Sequence, residues 1–300
     1  MTPEEKKKIR RFLPEWERAS CGFFEEKKTF LENGFLFRHY KIRKPGRRVC
    51  DSSCRILFFT DLHLRKAVTA SFGGGAVFLS WEGTGKIRKN LQEAIDSFSP
   101  DLLLFGGDLT GEFSALFPAV ELLRSLESSA GKFMVPGNWD KRRRSPISRR
   151  MWEEQISGSQ FKFLCNEEEK TAGGVIYGLD DFKSGLPHYR SLMERNWSKV
   201  PGFQILLSHN PDSIPFLGTT PLAEESTLIL CGHTHGGQIL LPGTGRAVLT
   251  STYSGNKLAS GIFRHKRSGS FLIVSSGIGT TWIHKRYQLP PEVVGITLEY

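Results

Sequence analysis

The sequence predicts an α/β fold, in which buried strands form a central sheet and helices cover it. Short apolar runs of about four residues recur along the chain, at 56–59, 102–105, 133–135, 175–177, 205–207 and 228–231. These runs are rich in strand-forming residues, and each ends in Gly, Asp, Asn or His, which is typical of buried strands. Between them lie stretches with helical spacing, at 87–98 and 115–126.

Length and composition allow one large domain or two small ones. The chain has 300 residues, of which 39% are hydrophobic, and this is enough for a substantial core. It contains no run of about 18 apolar residues that would predict a transmembrane helix, and its first residues lack the apolar stretch of a signal peptide. The sequence leaves open a membrane anchor ahead of Met1. Five scattered cysteines without metal-ligand spacing favour a reduced, cytoplasmic protein.

The chain is strongly basic, with a formal net charge of +10. The basic residues cluster at 6–11, 41–48, 141–144, 264–267 and 285–286. Nucleic acid, anionic lipid and phosphorylated small molecules all fit such a surface, although each single cluster is also consistent with ordinary solubility.

The first 48 residues differ from the rest and are expected to form a separate basic, Phe-rich helical segment, with the main domain at 49–300. Apolar residues recur in it at loosely helical spacing, at Ile9, Phe12, Leu13, Trp16, Phe23, Phe24, Phe30 and Leu31. One interpretation is a helix packed on the main domain. The other is a helix lying on an anionic membrane surface, with its lysines facing the lipid headgroups.

A glycine-rich segment at 70–85 interrupts the α/β pattern, yet it carries Phe72, Phe78 and Trp81. It fits a mobile apolar loop that covers a site or touches lipid, and it equally fits a segment packed against the body.

Polar side chains follow five of the predicted strands. They are Asp61, His63, Asp108, Asn138, His209, His233 and His235. Because loops beyond the carboxyl ends of strands converge in an open α/β sheet, these seven residues are expected to surround one point. Carboxylate, amide and imidazole ligands suit Mn²⁺, Zn²⁺, Fe or Mg²⁺ better than metals that prefer thiolates.

The same residues resemble the signature blocks of a known family. Asp61-x-His63, Gly107-Asp108, Gly137-Asn138, His209 and Gly232-His233-x-His235 are similar to the five blocks of the calcineurin-like metallophosphoesterases. The stretches 207–212, 232–239 and 290–294 further resemble the bacterial membrane-associated phosphohydrolase branch. That branch includes a UDP-2,3-diacylglucosamine diphosphatase of lipid A synthesis.

The resemblance implies a four-layer α/β/β/α sandwich with an N-terminal helical lead, and residues 49–300 as its catalytic domain. It also implies two divalent metal ions, Mn²⁺ first and Mg²⁺, Fe or Zn²⁺ as alternatives. One ion would be held by Asp61, His63, Asp108 and His235, and the other by Asp108, Asn138, His209 and His233. In such a site the ions activate a water for in-line attack on phosphorus and neutralise the phosphoryl oxygens.

Trp139 departs from the family pattern, because most members have a histidine at this position that assists the leaving group. An indole can donate a hydrogen bond but cannot deliver a proton, and Asp140 would lose the imidazole that it usually orients. Either the chain is a catalytically silent scaffold or its leaving group needs no acid. A phosphate monoester that leaves a diphosphate is a leaving group of this kind, because it is a weak base with a second pKa of about 6.

The leading expectation is therefore cleavage of UDP-2,3-diacylglucosamine to UMP and a diacylglucosamine 1-phosphate. A broad phosphodiesterase or phosphatase is the alternative, and no specific nucleic-acid partner is expected because no nucleic-acid module is recognisable. Substrate contacts are expected from Trp139, Lys141, Arg142, Arg143 and Arg65. The expected location is the cytoplasmic face of the inner membrane, where the protein would be peripheral and contact an anionic surface.

Overall fold

The computed structural model describes residues 2–43, 52–65, 81–141, 149–194, 202–217, 227–248, 251–281 and 285–300. The α-helices are α1 (Pro3–Phe12), α2 (Trp81–Phe98), α3 (Leu116–Arg124), α4 (Arg149–Ser157) and α5 (Tyr189–Glu194). Short 3-10 helices lie at Leu13–Glu15, Phe113–Ala115, Pro211–Phe216, His235–Gly237 and Gly255–Leu258. No helix in these ranges is long and apolar enough to cross a membrane.

The strands form two seven-stranded sheets, each mostly parallel at its centre. The first has the order β2 (Phe24–Phe30), β3 (Leu36–Arg43), β14 (Glu292–Glu299), β4 (Ser53–Phe59), β5 (Leu102–Phe105), β6 (Gly131–Met134) and β7 (Lys162–Phe163). The second has the order β1 (Trp16–Arg18), β12 (Gly261–His265), β13 (Phe271–Val274), β11 (Thr227–Cys231), β10 (Phe203–Leu207), β9 (Gly174–Gly178) and β8 (Glu167–Thr171). In the first sheet β4, β5, β6 and β7 run parallel, and in the second β9, β10, β11 and β13 do.

Three buried clusters divide the fold into four layers. One cluster packs helices α2, α3 and α4 on the outer face of the first sheet, through residues such as Leu91, Leu123 and Phe105. A second fills the space between the sheets, where Leu104 and Ile205 are both buried. The third lies on the outer face of the second sheet and includes Ile9 of α1 and Leu192 of α5. The four-layer α/β/β/α arrangement is therefore confirmed.

The strands alternate their side chains between neighbouring clusters, as the pleat requires. In β4, Leu57 and Phe59 face the helices, whereas Ile56 and Phe58 face the second sheet. Because both faces are covered, the strand reads as a continuous apolar run rather than as an alternating one.

The expectation that the first 48 residues form a helical segment is wrong for most of their length. Only Pro3–Phe12 is α-helical. Residues 16–18 form an edge strand of the second sheet, and 24–30 and 36–43 form an antiparallel pair in the first. Residues 44–51, with the expected boundary at 48, lie outside the described ranges.

The missed signal was the Asn33-Gly34 pair, because Gly34 adopts a positive φ of 79° in the turn between β2 and β3. Asn-Gly between two strand-like runs is a strong hairpin signal. The helix α1 is a helix packed on the body, since Ile9 is fully buried in the outer cluster of the second sheet.

The remaining predicted elements are largely as expected. All six predicted strands are present, α2 begins six residues before the predicted start at 87, and α3 ends two residues before the predicted end at 126. Of the glycine-rich segment at 70–85, residues 81–85 belong to α2, and the residues before them lie outside the described ranges.

Candidate metal centre

Three loops at the carboxyl ends of β4, β5 and β6 bring Asp61, His63, Asp108 and Asn138 to one edge of the first sheet. Backbone hydrogen bonds join the first two loops, from Asp61 N–H to Gly107 C=O at 3.0 Å and from His63 N–H to Asp108 C=O at 3.0 Å. Gly107 has a φ of 95°, and a Cβ there would overlap the backbone of Gly137 in the third loop. The glycine lets the β5 and β6 loops touch, which places Asn138 beside Asp108.

The second sheet contributes the three remaining histidines from the ends of β10 and β11. His209 follows β10, and His233 and His235 follow β11. The two loops are joined by a hydrogen bond from Gly232 N–H to His209 C=O at 2.9 Å. His233 N–H also donates to Asp61 Oδ2 at 2.9 Å, which ties the second sheet to the first at the site itself.

The ligand atoms form two buried groups, Asp61 with His63 and His235, and Asp108 with His209 and His233. Within each group these atoms all lie within 4.8 Å of one another. Asp108 Oδ2 lies between the groups, 3.2 Å from His63 Nε2 and 3.3 Å from His209 Nε2. This carboxylate can therefore bridge two ions.

Hydrogen bonds from neighbouring groups orient the ligand atoms toward the centre. Asp61 Oδ2 accepts from Thr60 Oγ1 at 2.9 Å, which leaves Oδ1 facing His235 Nε2 at 3.4 Å. The Nδ1 atom of His209 lies 2.7 Å from the carbonyl of Gly106, and that of His235 lies 3.3 Å from the carbonyl of Gly279. Since a carbonyl only accepts, Nδ1 carries a proton in both rings, and Nε2 is the atom of each neutral imidazole that remains to bind a cation.

The residues present fit a pair of divalent cations. Asp61 Oδ1 and Asn138 Oδ1 are buried and have no hydrogen-bond partner among the described residues. The Nε2 atoms of His63 and His235 face each other at 3.1 Å. Buried acceptors and lone pairs that converge in this way are costly unless a cation lies among them. Oxygen and imidazole donors suit Mn²⁺, Fe, Zn²⁺ or Mg²⁺.

Coulombic coupling within the site shifts the pKa values of its members. Burial raises the pKa of Asp108, but His209 and His63 outweigh burial and hold this pKa well below its ordinary value. Burial lowers the pKa of His235 to about 3, so this imidazole is neutral and ready to bind a cation.

Five of the seven residues adopt a left-handed backbone conformation that is uncommon outside glycine. They are Asp61, His63, Asp108, His233 and His235, with φ between 44° and 67°. Residues in this region cost about 1–3 kcal/mol each and persist only where the surrounding structure enforces them. The sharp turns let a short loop direct two side chains, such as those of Asp61 and His63, to one point.

Asp140 has a different partner from the one expected. Its carboxylate accepts backbone N–H groups from Asp108 at 2.9 Å, Leu109 at 3.0 Å and Gly137 at 2.9 Å. It therefore fastens the β5 and β6 loops together. Its role in this chain does not depend on an imidazole at position 139.

Trp139 lies beside the two ligand groups. Its ring contacts that of His63 edge to face, with centroids 5.1 Å apart, and the guanidinium of Arg65 lies 5.3 Å from the centre of the Trp139 ring. The backbone N–H of Trp139 donates to Asp108 Oδ1 at 2.7 Å, so the residue also orients the bridging carboxylate. Trp139 and Arg65 thus lie together beside His63 and Asp108.

Of the other expected substrate contacts, only Lys141 is among the described residues. Lys141 Nζ lies 2.5 Å from Asp180 Oδ1 and is engaged in that ion pair. Arg142 and Arg143 lie outside the described residues.

Two basic residues near the site were not predicted. Lys183 Nζ lies 2.9 Å from His233 Nε2 and donates to the Ser251 carbonyl at 2.7 Å. Arg286 donates to the carbonyls of Gly279 at 2.6 Å and Ser276 at 2.7 Å. In the sequence, Lys285-Arg286 is one of several basic clusters, and nothing in its composition distinguishes the partly buried guanidinium of Arg286 from exposed ones.

Comparison with known proteins is consistent with this site. The sequence profile described as calcineurin-like phosphoesterase matches residues 54–237, which span all seven predicted ligands. The uncharacterized metallophosphoesterase YkuE of Bacillus subtilis is 30% identical over 213 residues, covering 68% of this chain and 70% of the relative. The UDP-2,3-diacylglucosamine pyrophosphatase LpxG of Chlamydia muridarum is 26% identical over 290 residues, covering 80% and 82%.

A further relative is the phosphodiesterase YaeI of Escherichia coli, 29% identical over 207 residues and covering 63% of each chain. Among solved structures, the calcineurin-like phosphoesterase YfkN of Bacillus subtilis aligns with a TM-score of 0.44 and 12% identity, covering 75% of this chain and 81% of that one. The profile match extends over more than half of the chain and includes every strand end that carries a candidate ligand. This chain belongs to the calcineurin-like phosphoesterase family.

Proposed function

We propose that the protein is a metal-dependent phosphohydrolase that cleaves the diphosphate of UDP-2,3-diacylglucosamine, giving UMP and a diacylglucosamine 1-phosphate. The observation that carries the hydrolase activity is the pair of buried ligand groups with Asp108 Oδ2 between them. Two divalent ions, of which Mn²⁺ is our first choice, would occupy these groups. When bound, they supply an activated water and charge neutralisation at phosphorus.

The residues around the two ligand groups bind the substrate phosphate and orient the ligand side chains. Arg65 is positioned over Trp139 and supplies a fixed positive charge for the non-bridging phosphoryl oxygens. Trp139 holds Asp108 Oδ1 through its backbone N–H, and its ring packs against His63. Both contacts keep the ligand side chains in place while the substrate binds and leaves.

Trp139 supports a diphosphate substrate over a simple ester. General acid catalysis contributes roughly 10²–10⁴-fold, and its loss matters most when the leaving group is a basic alkoxide. A departing phosphate is a much weaker base, so a diphosphate tolerates a site that has no proton donor at position 139. The full set of seven ligand side chains argues against a silent scaffold.

The nucleotide-diphospho-lipid class is supported by the relative LpxG, which is named as a UDP-2,3-diacylglucosamine pyrophosphatase. A lipid substrate also fits the net charge of +10, because the substrate and an anionic membrane surface would both attract basic residues. We place the protein at the cytoplasmic face of the inner membrane as a peripheral enzyme. A broader phosphodiesterase activity is the second candidate, favoured by the relative YaeI.

The direct test is hydrolysis of UDP-2,3-diacylglucosamine, beside an aryl phosphodiester, with added Mn²⁺ or with EDTA. UMP and the lipid phosphate are followed as products. Asp61→Ala serves as the inactive control, and His188→Ala as a control at an exposed histidine that belongs to neither ligand group. We expect Mn²⁺-dependent release of UMP that falls at least about 10³-fold in Asp61→Ala.

The pattern of turnover separates the candidates. Hydrolysis of the aryl diester alone would retain the metal mechanism and exclude the lipid substrate in favour of a general phosphodiesterase. Absence of any metal-dependent turnover would show that the chain is a binding scaffold.

A further inference from the structure

A cavity of about 820 Å³ lies next to the metal centre and is mainly apolar. Its lining includes the buried side chains of Phe35, Ile87 and Ile278, together with Leu289 and Pro291. This volume is in the range of sites that enclose a small molecule. A partly open cavity of this size and character is consistent with a ligand site.

The cavity and the metal centre share one wall. Ile278 N–H donates to Thr60 C=O at 3.1 Å, and Gly279 N–H donates to Asp61 C=O at 2.7 Å, so the residues that line the cavity hold the strand end that carries Asp61. The Gly279 carbonyl faces His235 Nδ1 on the other side. The cavity therefore lies directly beside the loop that carries Asp61 and His63.

The charges around the cavity favour an anionic amphiphile. Three basic residues, Lys86, Lys285 and Arg286, contribute to its lining, and none of the described lining residues except these carries a charge. Two aromatic residues, Phe30 and Tyr287, are exposed at 68% and 52% and contribute an apolar rim. An apolar interior beside fixed positive charge matches an acyl chain joined to a phosphate.

We propose that this cavity holds the acyl chains of a lipid phosphate whose head is bound at the metal centre, an inference that deepens the function proposed above and rests on it. The turn at Asn33-Gly34 lines the cavity at the tip of the β2–β3 hairpin, whereas Gly279 and Arg286 line it on the side of the metal centre. The cavity then sets an upper limit on the chain length that the enzyme accepts. Its occupant is the substrate itself.

The test measures binding rather than turnover. Butyl, octyl and dodecyl phosphate are titrated by calorimetry into the Mn²⁺-loaded full chain, below their micelle concentrations. We expect the affinity to rise about threefold to fourfold for each added methylene until the cavity is filled. An affinity that does not change with chain length would overturn the proposal.

A matched pair of variants locates the effect. Asn33→Trp places a bulky side chain at the hairpin end of the cavity and is expected to weaken dodecyl phosphate about tenfold more than butyl phosphate. Phe23→Trp alters an exposed residue just before the same strand β2, outside the cavity lining, and is expected to leave the chain-length series unchanged. An equal effect of both variants, or none from Asn33→Trp, contradicts the assignment.

A cross-linking experiment on the wild-type protein covers the case in which Asn33→Trp fails to fold. A dodecyl phosphate with a terminal diazirine is bound and irradiated, and the labelled peptides are identified by mass spectrometry. Labels within 30–35 or 285–291 support the cavity, and labels elsewhere exclude it, including the case in which another segment of this chain fills the space. If chain-length-dependent binding is found but UDP-2,3-diacylglucosamine is not hydrolysed, the cavity stands and the proposed substrate falls.

Discussion

At the scale of single residues, Asp140 shows how a family position can be retained for a structural reason. The carboxylate is buried, and three backbone N–H groups of two ligand-bearing loops converge on it. Such donors favour the charged form, whereas burial raises the pKa of Asp140 to about 7. The sequence suggested a side chain without a partner, because only the three-dimensional structure shows which backbone groups point at it.

Replacing Asp140 therefore tests a loop contact. We expect Asp140→Asn to lower the free energy of unfolding by about 2–3 kcal/mol, because the amide nitrogen would face N–H donors in place of an acceptor. Urea unfolding of the metal-free protein measures this change. Asp96→Asn, at an exposed aspartate of α2, is the matched control and is expected to cost under about 0.5 kcal/mol. A similar loss in both variants would contradict the role given to Asp140.

The His209–Asp108 pair gives the metal-free protein a predictable pH dependence. Burial lowers the pKa of His209, but the Asp108 carboxylate outweighs burial and raises it to about 10. An unfolded histidine has a pKa of about 6.5, so the pair's contribution to stability is fully present below that pH and is lost as the pH rises toward 10.

Urea unfolding in EDTA between pH 6 and pH 10 measures that loss. The free energy of unfolding should fall across this range in the wild-type protein and fall less steeply in His209→Gln, which removes the titrating group. A slope that is the same in both proteins would assign the pH dependence to other residues.

At the scale of elements, α1 separates two interpretations of the basic N-terminus. Ile9 is fully buried against the second sheet, and Lys8 lies 4.9 Å from the ring centre of Phe216. The helix is thus part of the fold, and its exposed lysines remain available to an anionic surface.

Truncation at Ile9 should accordingly act on stability. We expect Ile9→Ala to lower the free energy of unfolding by about 2–4 kcal/mol, as for other buried aliphatic residues. Phe117→Ala, at a side chain that is 73% exposed, provides the comparison and should have little effect. If Ile9→Ala instead left stability unchanged but reduced binding to anionic vesicles, α1 would be a membrane-binding helix.

Predictability from the sequence also differs between elements. The buried strands β4, β5, β10 and β11 are continuous apolar runs, so they and the ligands that follow them could be located. The strand β2 reads Phe-Glu-Glu-Lys-Lys-Thr-Phe, and it is mostly exposed at the sheet edge. Its charged residues also fit a helix, and its conformation follows from the Asn33-Gly34 turn together with pairing to β3.

At the scale of the whole molecule, each ligand group draws residues from both sheets. Asp61 and His63 follow β4 of the first sheet, whereas His235 follows β11 of the second, and the other group is divided in the same way. A bound ion therefore links the two halves of the sandwich. The sequence could predict the ligands, but their division between sheets depends on a topology that local patterns do not specify.

Metal loading is consequently expected to stabilise the entire domain. At a free Mn²⁺ concentration of about 100 times the dissociation constant, the free energy of unfolding rises by about 2.7 kcal/mol per site. Thermal unfolding with Mn²⁺ and with EDTA measures this gain. His235→Ala should lose much of it, and His188→Ala should retain it. A Mn²⁺ response that persists in His235→Ala would place the stabilising ion elsewhere.

The position of β14 has a consequence for how the protein is made. This strand lies between β3 and β4 in the first sheet, yet it follows every ligand in the sequence. During synthesis, Asp61, His63 and Asp108 leave the ribosome long before His209, His233 and His235, and the sheet that carries the first three cannot close until residues 292–299 have emerged. Completion of the two ligand groups is thereby deferred until β14 has paired with β3 and β4, so full metal affinity is expected only when residues 292–299 are in place.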